Sequence, residues 1–297
     1  MKAAVLEQIG QPLKIVDLEI PELEAGQVLV KVLCAGICGS QLQEIDGLKG
    51  DPAHCPHLLG HEGCGIIEAI GLGLKPICRG QKVVMHWRKG SGMESAFPIY
   101  NRRFKSGLIT TFSQYAIVSE NRITVIPDDV PNDLACLLGC ALSTALAIIE
   151  NEITNDQRIL VIGCGGVGLA LIFASRLISS FAGGVDRVES KRDLVESFGA
   201  QFGTWVTPQV VADVVIDTIG CGHTIACSKY ISLQPGGTSG GGFNPDKDIP
   251  RYVQMWRDGK LDGWEKLITH KIPLDGINRG IQLMREGRAA RVLIDMR

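Results

Sequence analysis

The sequence predicts an α/β protein in two parts, a β-rich barrel followed by a doubly wound parallel sheet. Three observations carry this prediction. In the first third, short apolar runs bounded by glycines recur at 27–32, 65–70 and 81–85, then at 115–118 and 123–127. Strands of that length and spacing suit a partly open barrel. After Asp133 the pattern changes to alternating units. An apolar helix at 134–150 leads to a strand at 158–162, a helix at 167–179, a strand at 182–186, a helix at 190–198 and a strand at 213–217. Alternation of this kind implies a parallel sheet with helices on both faces. Third, the apolar run 158–162 feeds Gly163-Cys164-Gly165-Gly166-Val167-Gly168, which reads as a strand turning into a helix around a pyrophosphate.

Smaller signals set the expected ends of elements. Ser190 with Asp193 three residues on is a plausible capping box, Asp248-Ile249-Pro250 resembles a helix start, and Asp275 is placed to cap a helix over 276–285. The run 291–295 reads as a closing strand.

Composition narrows the class. The 297 residues are enough for two domains, and 45% hydrophobic with 21% charged residues is ordinary for a soluble globular chain. A formal net charge of −2 supplies no basic field for nucleic acid. No apolar stretch reaches the roughly 18 residues of a membrane span, and the first residues lack the apolar core of a signal peptide. Ten cysteines without a secretion signal point to reduced thiols in the cytoplasm.

The chemistry-bearing residues sit on glycine turns. Cys38 lies in Gly36-Ile37-Cys38-Gly39-Ser40 and His61 in Gly60-His61-Glu62-Gly63. A thiolate and an imidazole held on tight turns are good zinc ligands. Ser40 is close enough to Cys38 for its hydroxyl to meet a metal-bound oxygen. A zinc site beside a dinucleotide site suggests metal-assisted hydride transfer. Asp186 ends the strand about 20 residues past the glycine motif, where an acid binds the ribose 2′-OH and repels a 2′-phosphate. That favours NAD over NADP, although Arg187, Lys191 and Arg192 weaken the preference.

These residues together resemble the medium-chain dehydrogenase/reductase superfamily, specifically its zinc-dependent alcohol dehydrogenase branch. The resemblance runs over almost the whole chain. It implies a GroES-like catalytic domain made of both chain ends (1–141 and 248–297) around a Rossmann domain (142–247). It also implies a third zinc ligand, Cys140, within the segment from Gly139 to Ala145, with Cys136 as its rival. Glu62 matches an acid kept next to the metal and is counted with the metal set. Gly163, Gly165, Gly166, Val167 and Gly168 would hold the cofactor phosphates, with Asp186 and Arg187 near the ribose. Arg291 matches a position that contacts the pyrophosphate, the alternative being a solvated surface arginine. Trp87 and its neighbour His86 match the substrate side. A basic loop containing Arg88, Lys89, Arg102, Arg103 and Lys105 is either solvated or suited to a phosphorylated or acidic polyol.

The chain also departs from that pattern. The lobe of four cysteines for a structural zinc is missing, so one zinc per chain is expected. Gln41 stands where an acid usually orients the zinc-bound histidine. The Rossmann part is short, with one helix-like stretch at 224–231 and then glycine-rich sequence at 234–242. The usual sheet-edge dimer is therefore doubtful. The expected activity is oxidation of an alcohol or polyol with NAD. A zinc-free quinone or enoyl reductase and a non-catalytic binding protein are the alternatives.

Overall fold

The structure is a computed structural model that describes residues 1–74, 77–179, 181–205, 212–221, 224, 231–232, 238 and 240–296. The amino-terminal part holds β1 (Lys2–Leu6), β2 (Lys14–Asp17), β3 (Gln27–Ile37), α1 (Gly39–Ile45), β4 (His57–Leu58) and β5 (Gly63–Ile70). It continues through β6 (Lys82–Met85), β7 (Ile99–Tyr100), β8 (Phe104–Lys105), β9 (Tyr115–Ser119) and β10 (Ile123–Ile126). β3 is the organising strand. β5 runs along one edge from Val28 to Ala35, while β9 takes the first half of the other edge, from Gln27 to Lys31. The second half of that edge, from Cys34 to Ile37, is taken by the closing strand β17 (Val292–Asp295), so the two chain ends share one sheet. A second, five-stranded sheet has the order β2-β1-β4-β8-β7. β1, β2 and the short β16 (His270–Pro273) are not among the strands expected from the sequence.

The expected helix at 134–150 is two helices, α2 (Asn132–Leu138) and α3 (Ala141–Glu152). The break has a steric cause. Gly139 caps α2, and a side chain there would collide with the Met85 carbonyl. Cys140 then leaves the helical region, at φ −152° and ψ −78°. The apolar periodicity runs through the break, which is why the sequence did not reveal it.

The parallel sheet consists of β11 (Ile159–Ile162), β12 (Ala182–Val185), β13 (Gln201–Gly203), β14 (Val214–Asp217) and β15 (Ile231–Ser232). Its order is β13-β12-β11-β14-β15, with the first strand at the centre. All four residues of β11 are buried, each aliphatic side chain being worth about 1.5–3 kcal/mol relative to exposure. Helices α4 (Gly166–Ser175) and α5 (Arg192–Glu196) follow β11 and β12.

Several expected details are corrected. Ser190 and Asp193 form no capping box, because a short 3₁₀ turn over Glu189–Lys191 precedes α5. Of the helix expected at 224–231, residues 225–230 lie outside the described residues, and Ile231 is a strand residue paired with Ile216. The glycine-rich stretch is partly outside them as well. Its end, Gly240–Gly242, makes a turn with positive φ at all three glycines, and the Asn151 side-chain amide donates to Gly241 O at 2.8 Å. The next helix, α6 (Pro245–Arg257), starts three residues before the expected Asp248. Asn244 caps it by accepting from Asp246 N, Pro245 opens it, and Pro250 lies inside. Finally, α7 (Ile277–Arg285) is capped by Gly276 and not by Asp275, which belongs to a preceding 3₁₀ turn. No single helix among the described residues is long and apolar enough to cross a membrane.

Candidate metal and dinucleotide site

Three elements deliver one donor each to a single point. Cys38 precedes α1, His61 lies in the loop before β5, and Cys140 occupies the break between α2 and α3. Their ligand atoms all lie within 4.8 Å of one another, and His61 Nε2 is 3.3 Å from Cys140 Sγ. A tetrahedral zinc with ligands at 2.0–2.3 Å would space them about 3.5 Å apart, so two sulfurs and an imidazole fit that ion after little adjustment. Three ligands leave a fourth position open. Cys136, the rival of Cys140, is turned away. It is fully buried and hydrogen-bonds with Cys34, and burial pushes its thiol well up.

The local electrostatics already favour a cation. A hydrogen bond from Cys140 holds the Cys38 thiol well below its ordinary value, against the effect of burial, with further help from His61. The same bond, with burial, holds Cys140 well above it. Burial lowers the pKa of His61, but the hydrogen bond and charge of Cys38 outweigh it and the net shift is upward. The hydrogen bond between the two sulfurs thus favours the thiolate at Cys38, the form of the side chain that binds a metal.

Around the cluster, Gln41 Nε2 lies 2.6 Å from His61 Nδ1, while Gln41 Oε1 accepts from Cys38 N at 3.0 Å. The amide therefore occupies the place expected of an orienting acid. Ser40 Oγ is 3.3 Å from His61 Nδ1 and does not line the neighbouring cavity. Glu62 lies outside the group of three ligands. It is completely buried and accepts from Arg291 Nη1, which also donates to Ile37 O at 3.2 Å. Burial raises the Glu62 pKa and Arg291 opposes that rise. Burial lowers the pKa of Arg291, but the charge of Glu62 and then of Cys38 raises it overall.

Arg291 is thus a buried residue and not a solvated one. Its guanidinium lies against Gly166, where any side chain would strike it. Its Nε has no hydrogen-bond partner among the described residues. Gly166 opens α4, whose cap is Gly165. Gly163 takes φ +92°, and a side chain at Gly168 would collide with the Gly163 carbonyl. Free amides at a helix start, a bare glycine surface and an unpartnered guanidinium N–H fit a pyrophosphate. Val167 is half-buried in the first turn of that helix.

Asp186 follows β12 and is 7% exposed. Its carboxylate accepts from Cys164 N and Val188 N, each at 2.9 Å, and from Lys191 Nζ at 2.6 Å. The acid therefore stands next to the glycine turn, with one of the expected cations paired to it. Arg187 is exposed beside it.

A cavity of about 630 Å³ opens onto Gln41 and His61 and has Trp87 in its wall. Trp87 meets Phe243 edge-on at 6.3 Å. His86 faces away from the cavity. It is fully buried between Arg88 O (2.7 Å) and Thr124 Oγ1 (3.1 Å), and burial lowers its pKa to about 4. It is a structural histidine. Sequence reasoning missed much of the cavity wall, including His54, Phe97, Ile99 and Thr110. It also missed the link between Glu62 and Arg291, which are 229 positions apart and carry no local signal of each other.

Comparison with known proteins agrees with this geometry. Residues 24–128 match the family described as "Alcohol dehydrogenase GroES-like domain". An S-(hydroxymethyl)glutathione dehydrogenase of Paracoccus denitrificans is 25% identical, covering 99% of both chains. That alignment spans 375 positions against the 297 residues here, so the relative is the longer. An NDMA-dependent alcohol dehydrogenase of Amycolatopsis methanolica is 28% identical, covering 99% of this chain and 98% of that one. In fold, the chain is similar to benzyl alcohol dehydrogenase from Acinetobacter calcoaceticus, with a TM-score of 0.86 and 23% identity over 100% of this chain and 99% of the other.

Proposed function

Because the chain belongs to the medium-chain dehydrogenase/reductase superfamily, in its zinc-dependent alcohol dehydrogenase branch, we propose that it oxidises an alcohol or polyol with NAD. The observation that carries this reading is the convergence of Cys38, His61 and Cys140 beside a cavity, with Arg291 bridging to the glycine turn. Bound at these places, zinc supplies a Lewis acid that acidifies an alcohol, and the nicotinamide supplies a hydride acceptor.

The chain's own residues do the rest. Cys38, His61 and Cys140 hold the metal, and Gln41 fixes the His61 ring. Glu62, tied to Arg291, keeps a negative charge behind the ligands. Ser40 carries the alcohol proton outward. Gly163, Gly165, Gly166, Val167, Gly168 and Arg291 bind the pyrophosphate, and Asp186 the ribose. Trp87 shapes the substrate wall. The zinc-loaded protein, given NAD and a panel of alcohols and polyols, should form NADH. No reduced nicotinamide from any of them would refute the reading.

The division into 1–141, 142–247 and 248–297 stands as part of the same proposal, its last boundary falling within the first turn of α6. The cytoplasm is the proposed location, supported by the absence of any disulfide among the described cysteines. The usual sheet-edge dimer is proposed not to form, since the shortened, glycine-rich sequence at 234–242 stands where the edge elements that pair subunits would lie. Light scattering should give a monomer, or an assembly through another surface. A continuous intermolecular sheet in a crystal would overturn that.

A further inference from the structure

The cavity is lined by two acids, Glu44 and Asp51, and two lysines, Lys49 and Lys105, and His57 and Lys105 sit opposite each other on β4 and β8. Paired residues on adjacent strands project to the same face. Lys105 Nζ donates to Ala53 O at 3.2 Å, which engages one of its three N–H groups and draws it over the turn that carries His54. No carboxylate pairs with Lys105 among the described residues. His57 feels its two neighbours. Burial is the largest influence lowering its pKa, and the positive charges of His54 and Lys105 add to it. One ring nitrogen of His57 is 3.7 Å from Cys55 Sγ, which leaves the other for a ligand.

Asp51 accepts from Ala53 N at 2.9 Å and forms no ion pair with Lys105 among the described residues. Other cations of the basic loop are already engaged. Lys89 pairs with Glu94, and Arg103 pairs with Glu7 while stacking on Phe104. Lys105 is the loop residue that faces the cavity. Much of the remaining wall is apolar, with Leu58, Phe97, Pro98, Ile99 and Ile109.

We propose that His54, His57 and Lys105 form an anion-binding subsite of this cavity, which selects alcohols bearing a carboxylate or phosphate separated from the hydroxyl by an apolar spacer. This rests on the dehydrogenase reading above. A charge-assisted hydrogen bond anchors the anionic end, the apolar wall takes the spacer, and the hydroxyl reaches the metal ligands.

The test compares hexanol, ω-hydroxyhexanoate and ω-hydroxyhexyl phosphate with the zinc-loaded protein and NAD. The anionic alcohols should have about tenfold higher kcat/KM, as one charge-assisted hydrogen bond allows. Which of the two is better identifies the anion. Lys105→Gln should collapse the ratio of anionic to neutral substrate, and Lys105→Arg should preserve it. An equal or better rate with hexanol, or a ratio unchanged in Lys105→Gln, overturns the subsite. Oxidation of none of the three counts against the dehydrogenase reading instead. The subsite is then decided by calorimetric titration with hexanoate and hexyl phosphate, which needs no turnover. Binding that is lost in Lys105→Gln supports it, and no binding refutes it.

Discussion

The metal cluster and the phosphate cradle are assembled in opposite ways. The cluster draws one residue from each of three elements far apart in the chain. The cradle is nearly one continuous unit, β11, the glycine turn, α4 and β12, with Asp186 closing back on Cys164 N. A local unit forms its site from its own turn chemistry. A site made across elements depends on the whole barrel being closed, including the strand contributed by the far end of the chain. Damage to the first kind of site should stay local, and damage to the second should spread.

The sharpest break of this comparison is removal of two metal ligands. Cys38→Ala combined with His61→Ala should abolish zinc binding and alcohol oxidation, while unmutated protein carries about one zinc per chain. Elemental analysis decides it, and metal retained in the double variant would mean that the cluster is not the site.

Arg291 joins the two regions. Arg291→Met would strand the completely buried Glu62 carboxylate, and loss of one partner of a buried pair costs about 3–5 kcal/mol. Denaturant unfolding should show that loss, with most of it recovered when Glu62→Met is added. A single variant as stable as the parent would contradict the pairing.

Ser40→Ala is the next largest effect. Turnover should fall about 10²-fold with zinc content unchanged, as for loss of a proton-transfer group. Full activity would move the relay elsewhere.

Asp186 is the mildest test and belongs to the local site. Asp186→Ser should narrow the preference for NAD over NADP by about tenfold, or 1.4 kcal/mol, and free Lys191 for a 2′-phosphate. A parent enzyme more efficient with NADP would refute the role of Asp186. Because the cradle is self-contained, metal content should be unaffected in this variant.

The same contrast governs what the sequence could reveal. The glycine turn and Asp186 were readable because their spacing is set within one βαβ unit. Cys38 and His61 were readable as residue types on glycine turns. Cys140 was found only through resemblance, since a helix-period pattern runs straight across the break at Gly139. The partner of Arg291 was not readable, nor were His54 and Phe97 as cavity walls, because they lie on a turn and a loop that tertiary packing brings to the cavity. Helix starts were misplaced where two signals competed. Asn244-Pro245 won over Asp248-Ile249-Pro250, since an Asn cap with Pro in the first position leaves no helix amide unsatisfied at that point.

The break between α2 and α3 has a mechanical consequence. Cys140 begins the helix that lies along α4, beneath the parallel sheet, whereas Cys38 and His61 are rooted in the barrel. An ion held by all three would be a non-covalent cross-link between the barrel strands and the helix packed on α4, and it would close a long loop of chain. One buried core already runs through both regions, with Cys34, Val84 and Leu293 in the same cluster as Ile159 and Ile216. Chelation should therefore lower the temperature of one shared calorimetric transition.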